Sequence, residues 1–165
     1  MKKIILGRTN QEVSIISLGA WSHGKQNTNG GSNVGWANQT DQDSKNALLK
    51  SFSLGLNHWD TADVYGEGHS EKIIGSMWDE ISRKEIFLAT KVGWDKGPNK
   101  NWYDPDYMNS KMHQSLKNLK TDCIDLLYLH HCNFGKNDEY LDEAIEQISR
   151  FKDEGKTRFI GLSDW

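Results

Sequence analysis

Residues 56–91, LNHWDTADVYGEGHSEKIIGSMWDEISRKEIFLATK, decide the fold. They open on a short aromatic and branched run, 56–60, and close on another, 86–91. Between these, Ile73, Ile74, Met77, Trp78 and Ile81 recur at three- and four-residue spacing, which is one apolar face of a helix. Strand, helix, strand is a βαβ unit, and its crossover makes the two strands parallel. Ser70 is expected to cap the helix.

The same alternation extends to both sides. SLGAW (17–21), CIDLLYLH (123–130) and RFIGLS (158–163) read as further strands. Thr40-Asp41-Gln42-Asp43 forms a capping box ahead of ALLKSF, with Gly55 closing that helix. Two more helices are marked by Tyr107, Met108, Met112, Leu116 and Leu119, and by Leu141, Ala144, Ile145, Ile148 and Phe151. Runs such as IDLLYL, with little polar alternation, suit strands covered on both faces. Lys2 to Leu6 and Glu12 to Ile16, split by Gly-Arg-Thr-Asn-Gln, predict an N-terminal hairpin. The expected fold is therefore α/β, a hairpin followed by five parallel strands with intervening helices, in one domain over residues 1–165.

The totals narrow the partners. A formal net charge of −3, spread along the chain, gives no electrostatic footprint for nucleic acid or an anionic membrane surface. No run approaches the roughly 18 apolar residues of a membrane span. A small molecule is the expected partner. Cys123 and Cys132, the two cysteines, form no CxxC pair, which fits a reducing compartment and a cytoplasmic location.

Three of the expected strands finish on ionisable residues, namely Asp60, Lys91 and His130. Neighbouring strands lie about 4.8 Å apart, so these side chains can meet, and Tyr65 on the loop beyond Asp60 can fold over them. That set suits carbonyl reduction. Hydride addition builds negative charge on oxygen, which then needs a proton from a group within hydrogen-bond reach. A phenol is a poor acid at neutral pH, and a neighbouring ammonium favours its ionised form. A carboxylate beside the ammonium offsets the cost of burying it, and a neutral histidine can orient the carbonyl.

Each residue alone has a plainer reading. Asp60 suits a turn, Tyr65 a loop aromatic, Lys91 a solvent-facing strand end and His130 a structural hydrogen bond. Their coincidence at matching strand ends favours the catalytic one. Gly66-Glu67-Gly68 is a weak match to a dinucleotide-binding loop, because the third glycine is missing. His130 and His131 are adjacent on a strand and point to opposite faces, which argues against a shared metal.

The hairpin with SLGAW, DTADVYGEGHSE, LATKVGW, IDLLYLHH and GKTRFIGLSDW together resemble, in order and spacing, the aldo-keto reductase family. The resemblance implies a (β/α)8 barrel carrying an NADP(H)-dependent carbonyl reductase. By motif, the family's catalytic tetrad falls on Asp60, Tyr65, Lys91 and His130, with tyrosine as proton donor, lysine and aspartate tuning it, and histidine positioning substrate. Gly19, Ala20 and Trp21 match positions near the nicotinamide, as does Asp60. Ser163 and Asp164 match a serine-asparagine pair that grips the carboxamide, aspartate here keeping an acceptor and losing the amide donor. Trp21, Trp94, Trp102 and His130 are implied around the substrate.

A full barrel has eight βα units, and this sequence ends after the fifth strand, so the resemblance implies a domain incomplete at its C-terminus. Three readings follow. The sequence is a segment of a longer reductase, a half completed by a second chain, or a fragment with a non-enzymatic assembly role. The first is the simplest.

Overall fold

The computed structural model describes residues 1–25, 27–29, 32–34, 36 and 38–164, with backbone alone for 27–29 and 32–34. Trp165 and part of the expected loop 23–39 lie outside the described residues.

β1 (Lys3–Ile5) and β2 (Glu12–Ser14) pair antiparallel as the expected hairpin. β3 (Leu18–Gly19) follows, then a helical turn over Trp21–Gly24 and a ribbon of β4 (Asn27–Asn29) and β5 (Ser32–Val34). The rest alternates in order: α1 (Asp41–Ser53), β6 (His58–Asp60), α2 (His69–Gly75), β7 (Phe87–Val92), α3 (Pro105–Asn118), β8 (Ile124–Leu129), α4 (Leu141–Asp153) and β9 (Thr157–Leu162). β3, β6, β7, β8 and β9 form one five-stranded sheet in that order, every pair parallel.

Helix ends follow local chemistry. Thr40 accepts from the Asp43 N–H while the Asp43 carboxylate accepts from the Thr40 N–H, so the capping box forms as read. Asp104 caps α3 by accepting from the Tyr107 N–H, with Pro105 at the first helical position. Ser70 departs from expectation. Gly68, at φ +84°, takes the N-cap of α2 and Ser70 is the second residue of the helix. Its hydroxyl donates to the Ala20 carbonyl at 2.7 Å and accepts from the Thr61 hydroxyl at 3.0 Å, a buried tie from α2 to the ends of β3 and β6. Demand for a partner inside the core outcompetes the capping role.

The central strands β7 and β8 are covered on both faces, whereas edge strand β9 exposes Ile160 and Leu162. On one face, Leu88, Val92, Leu127 and Leu129 pack with Leu48, Ile74, Met112, Ile148 and Phe151 of the helices, and Trp59 stacks on Trp78. Each such fully buried apolar side chain contributes about 1.5–3 kcal/mol. On the other face, Phe87, Ala89 and Leu126 meet Val13 of the hairpin. Ser14 and Asn57 exchange hydrogen bonds of 2.7 and 3.2 Å, fastening the hairpin where β6 begins. The amino-terminal ends of the strands are thereby closed, and the chemistry-bearing residues stand at the opposite ends.

Ile145, expected on the buried stripe of α4, is 47% exposed, whereas Gln147 is 4% exposed. Ala144, Ile148 and Phe151 already fill the stripe, and residue 145 lies about 100° around the helix from 144.

Candidate active site

Asp60 ends β6, Lys91 stands one residue before the end of β7, and His130 follows β8 directly. In the register, Gly19 is level with Asp60 and Asp60 with Ala89, while Lys91 is level with Tyr128. Strand side chains alternate, so Asp60, Lys91, Tyr128 and His130 share one face of the sheet in rising steps.

The Lys91 ammonium is the hub. Its Nζ donates to Asp60 Oδ1 at 2.5 Å, to the Thr61 carbonyl at 2.8 Å and to the Tyr65 hydroxyl at 3.4 Å. Lys91 is 7% exposed, a depth at which a lysine needs such compensation. Three oxygens thus match the three donors of the ammonium.

Tyr65 reaches this point because the loop after β6 keeps to the sheet. The Thr61 and Asp63 N–H groups donate to the carbonyls of Ala89 and Lys91, at 3.0 and 3.2 Å, continuing the ladder of β7 past the strand end. Gly66, at φ +61°, then turns the chain. The Tyr65 ring meets that of His130 edge-on, centroids 5.9 Å apart.

His130 is 9% exposed, and its Nδ1 has no hydrogen-bond partner among the described residues. Burial first, then the Lys91 ammonium and then His131, push its pKa down to about 3. The ring is therefore neutral at neutral pH, with one N–H to donate. Trp94 lies against it, centroids 4.9 Å apart. Trp102 instead contacts the His131 ring at 5.2 Å, and Trp21 stands 44% exposed in the helical turn after β3.

The remaining expected positions gather at the same strand ends. Gly19 is exposed, with open space where a Cβ would stand. Ala20 is fully buried, its N–H donating to the Asp60 carbonyl at 2.8 Å. Ser163, just past β9, donates its N–H to the Leu129 carbonyl at 2.8 Å. Asp164 accepts from the Cys132 thiol at 3.2 Å.

Several contributors escape sequence reasoning. The Thr61 carbonyl is backbone and leaves no side-chain signal. Asp63 is buried, neither carboxylate oxygen having a partner among the described residues. Desolvation, and next the nearby Glu71, raise it to about 7. Among the described residues, no three His, Cys, Asp or Glu side chains gather closely enough to hold a metal ion, and no helix is long and apolar enough to cross a membrane.

The model of the aldo/keto reductase family matches residues 16–165, and the chain belongs to that family. It is 35% identical over 168 residues to the uncharacterized oxidoreductase YqkF of Bacillus subtilis (strain 168), covering 99% of this chain and 49% of that protein. It is 37% identical over 122 residues to the NADP(+) aldo-keto reductase yakc of Schizosaccharomyces pombe, covering 71% of this chain and 35% of that one. Among solved structures, the holo form of aldo-keto reductase AKR11C1 from Bacillus halodurans superposes with a TM-score of 0.78 at 33% identity, over 99% of this chain and 50% of that one. The chain thus spans about half the length of relatives it matches.

Proposed function

We propose that this chain carries the proton-transfer half of an NADP(H)-dependent reductase that converts aldehydes or ketones to alcohols. The carrying observation is the Lys91 ammonium bound at once by Asp60, Thr61 and Tyr65, with the neutral His130 ring at the edge of the phenol.

In this reading Tyr65 donates its hydroxyl proton to the carbonyl oxygen. The charge left on the phenolic oxygen is met by Lys91, already within 3.4 Å. Asp60 and the Thr61 carbonyl hold the ammonium in place, so little reorganisation accompanies the transfer. His130 donates to the substrate oxygen and orients it, while Trp94, Trp102 and Trp21 supply apolar walls that exclude water.

The residues present fit a nicotinamide. Its carboxamide needs an acceptor and a donor; the Ser163 hydroxyl can be either, and the Asp164 carboxylate accepts. The open space over Gly19, level with Asp60 in the strand register, leaves room beside the tetrad. When bound, the reduced nicotinamide supplies the hydride. The name of the yeast relative favours the phosphorylated cofactor. A reducing, cytoplasmic setting suits two free thiols, Cys123 and Cys132.

The test is Tyr65→Phe in the full-length protein, assayed on several carbonyls with NADPH and with NADH. Turnover should fall by about a hundredfold or more while cofactor affinity holds. Near wild-type rates in the variant would overturn the reading.

A further inference from the structure

We propose that Tyr103, in the loop between β7 and α3, is a positioning residue for His130: its hydroxyl clamps the His131 peptide and so sets the direction of the neighbouring imidazole. The inference rests on the reading of His130 as the group that orients substrate.

The His130 ring has no side-chain anchor of its own at Nδ1, where no partner lies among the described residues. Its orientation therefore depends on its backbone and on packing. On the amino side, the His130 N–H donates to the Val92 carbonyl at 2.9 Å, the last bond of the ladder with β7. On the carboxyl side the strand has ended, and the next peptide groups need another partner.

Tyr103 supplies it. Its hydroxyl donates to the His131 carbonyl at 2.5 Å and accepts from the His131 N–H at 3.1 Å, taking both polar groups of that residue. The phenol is fully buried, its ring stacked on Phe134 at 5.1 Å and set against the His131 ring at 5.2 Å. Its own N–H donates to Asn101 Oδ1 at 2.7 Å, so the clamp is itself held. Burial raises the hydroxyl to about 12, which keeps it protonated and donating.

The chain makes room for this ring at a specific place. A Cβ on Gly93, at φ +101°, would lie 2.1 Å from the Tyr103 ring. Gly93 directly precedes Trp94, which rests on His130. One phenol thus fixes the peptide after His130 and sits over the turn that delivers the ring packed against it.

The experiment compares the full-length wild type with Tyr103→Phe and, as a control, Tyr107→Phe, whose hydroxyl donates to the exposed Asp95 in the same loop. Three quantities are read: the imidazole nitrogen NMR signals of His130, KM and kcat for a carbonyl substrate, and the melting temperature. Tyr103→Phe should displace or broaden the His130 signals and raise KM by about tenfold, with cofactor affinity within about twofold. Tyr107→Phe should leave the His130 signals in place. A variant that melts earlier yet keeps wild-type His130 signals overturns the proposal, because Tyr103 is then only structural. If wild type reduces no carbonyl, the functional reading fails while the NMR comparison still decides the clamp. Should Tyr103→Phe prove insoluble, Asn101→Ala loosens the same clamp and is read by the same signals, unchanged signals again overturning it.

Discussion

Gly24 and Gly66 meet backbone to backbone: a Cβ on Gly66 would stand 1.8 Å from the Gly24 carbonyl oxygen, and one on Gly24 would stand 2.7 Å from the Gly66 nitrogen. The helical turn after β3 and the loop that carries Tyr65 are therefore in direct contact, at the Tyr65 backbone itself. Gly66 thereby holds the Tyr65 loop against that turn.

Gly66→Ala should accordingly cost both stability and turnover. The left-handed backbone at φ +61° disfavours a side chain by about 1 kcal/mol, and the collision with Gly24 adds about as much again or more. Loss of about 2 kcal/mol in denaturant unfolding, with kcat reduced at temperatures where the variant is folded, is the expected result. Wild-type stability with wild-type kcat would mean that the contact does no positioning.

Lys91→Met and Asp60→Asn should separate charge from support. Asp60→Asn takes the countercharge from a nearly buried ammonium and leaves it neutral acceptors only, namely the new amide oxygen, the Thr61 carbonyl and the Tyr65 hydroxyl. Because the Asp60 side chain is 26% exposed, the cost should fall below that of a fully buried pair, at about 1–3 kcal/mol. Lys91→Met removes the cation and leaves the carboxylate near water, so the fold should lose less. Turnover should instead fall by about a hundredfold or more. Unfolding curves and single-turnover rates for both variants check this; the reverse ordering of stabilities would contradict it.

How far these positions are visible in sequence depends on the kind of contact. Asp60, Lys91 and His130 are legible because strand alternation carries side chains to a common face, and ionisable residues at the ends of apolar runs stand out. The helices are legible through spacing, apart from the rim position of Ile145 and from α2, which ends at Gly75, so that Met77, Trp78 and Ile81 of its expected stripe pack into the core from the turns beyond it. Ser70 has the composition of a cap but spends its hydroxyl on Ala20, a partner fifty positions away. The Tyr103 clamp and the Gly24–Gly66 approach are equally opaque. One joins a side chain to a distant peptide and the other joins two peptides, and neither leaves a periodic trace.

Asp63→Asn should reveal a stability term that weakens with rising pH. Asp63 is buried, faced by Glu71, Tyr103, Lys111 and Asp95, and its pKa is raised to about 7 by desolvation and then by Glu71. Between the ordinary carboxylate range and about 7, the folded chain holds a proton that the unfolded chain has lost. Stability from this group therefore falls as pH climbs from about 4 to 7 and levels off above. The asparagine variant should gain on wild type at pH 8 relative to pH 4, by at most a few kcal/mol. Urea midpoints at the two pH values measure the difference, and equal gains at both would sink the idea.

His130 acts with the opposite sign in an overlapping window. Its folded pKa lies near 3, below the ordinary 6.5, so between those values the unfolded chain binds a proton that the folded chain refuses. Stability then rises with pH across that interval and is lost as the solution is acidified. The slope from one such group is at most about 1.4 kcal/mol per pH unit, comparable to that of Asp63 and opposed to it from about pH 4 to 6.5. Wild type should consequently show a flatter pH profile there than either group alone would give. His130→Gln removes the acid-sensitive term, so its stability should decline less than wild type between pH 6.5 and 4, while Asp63→Asn should decline more. Unfolding midpoints across that range, taken for all three proteins, test both signs together: parallel profiles would show that neither group's burial is felt in folding.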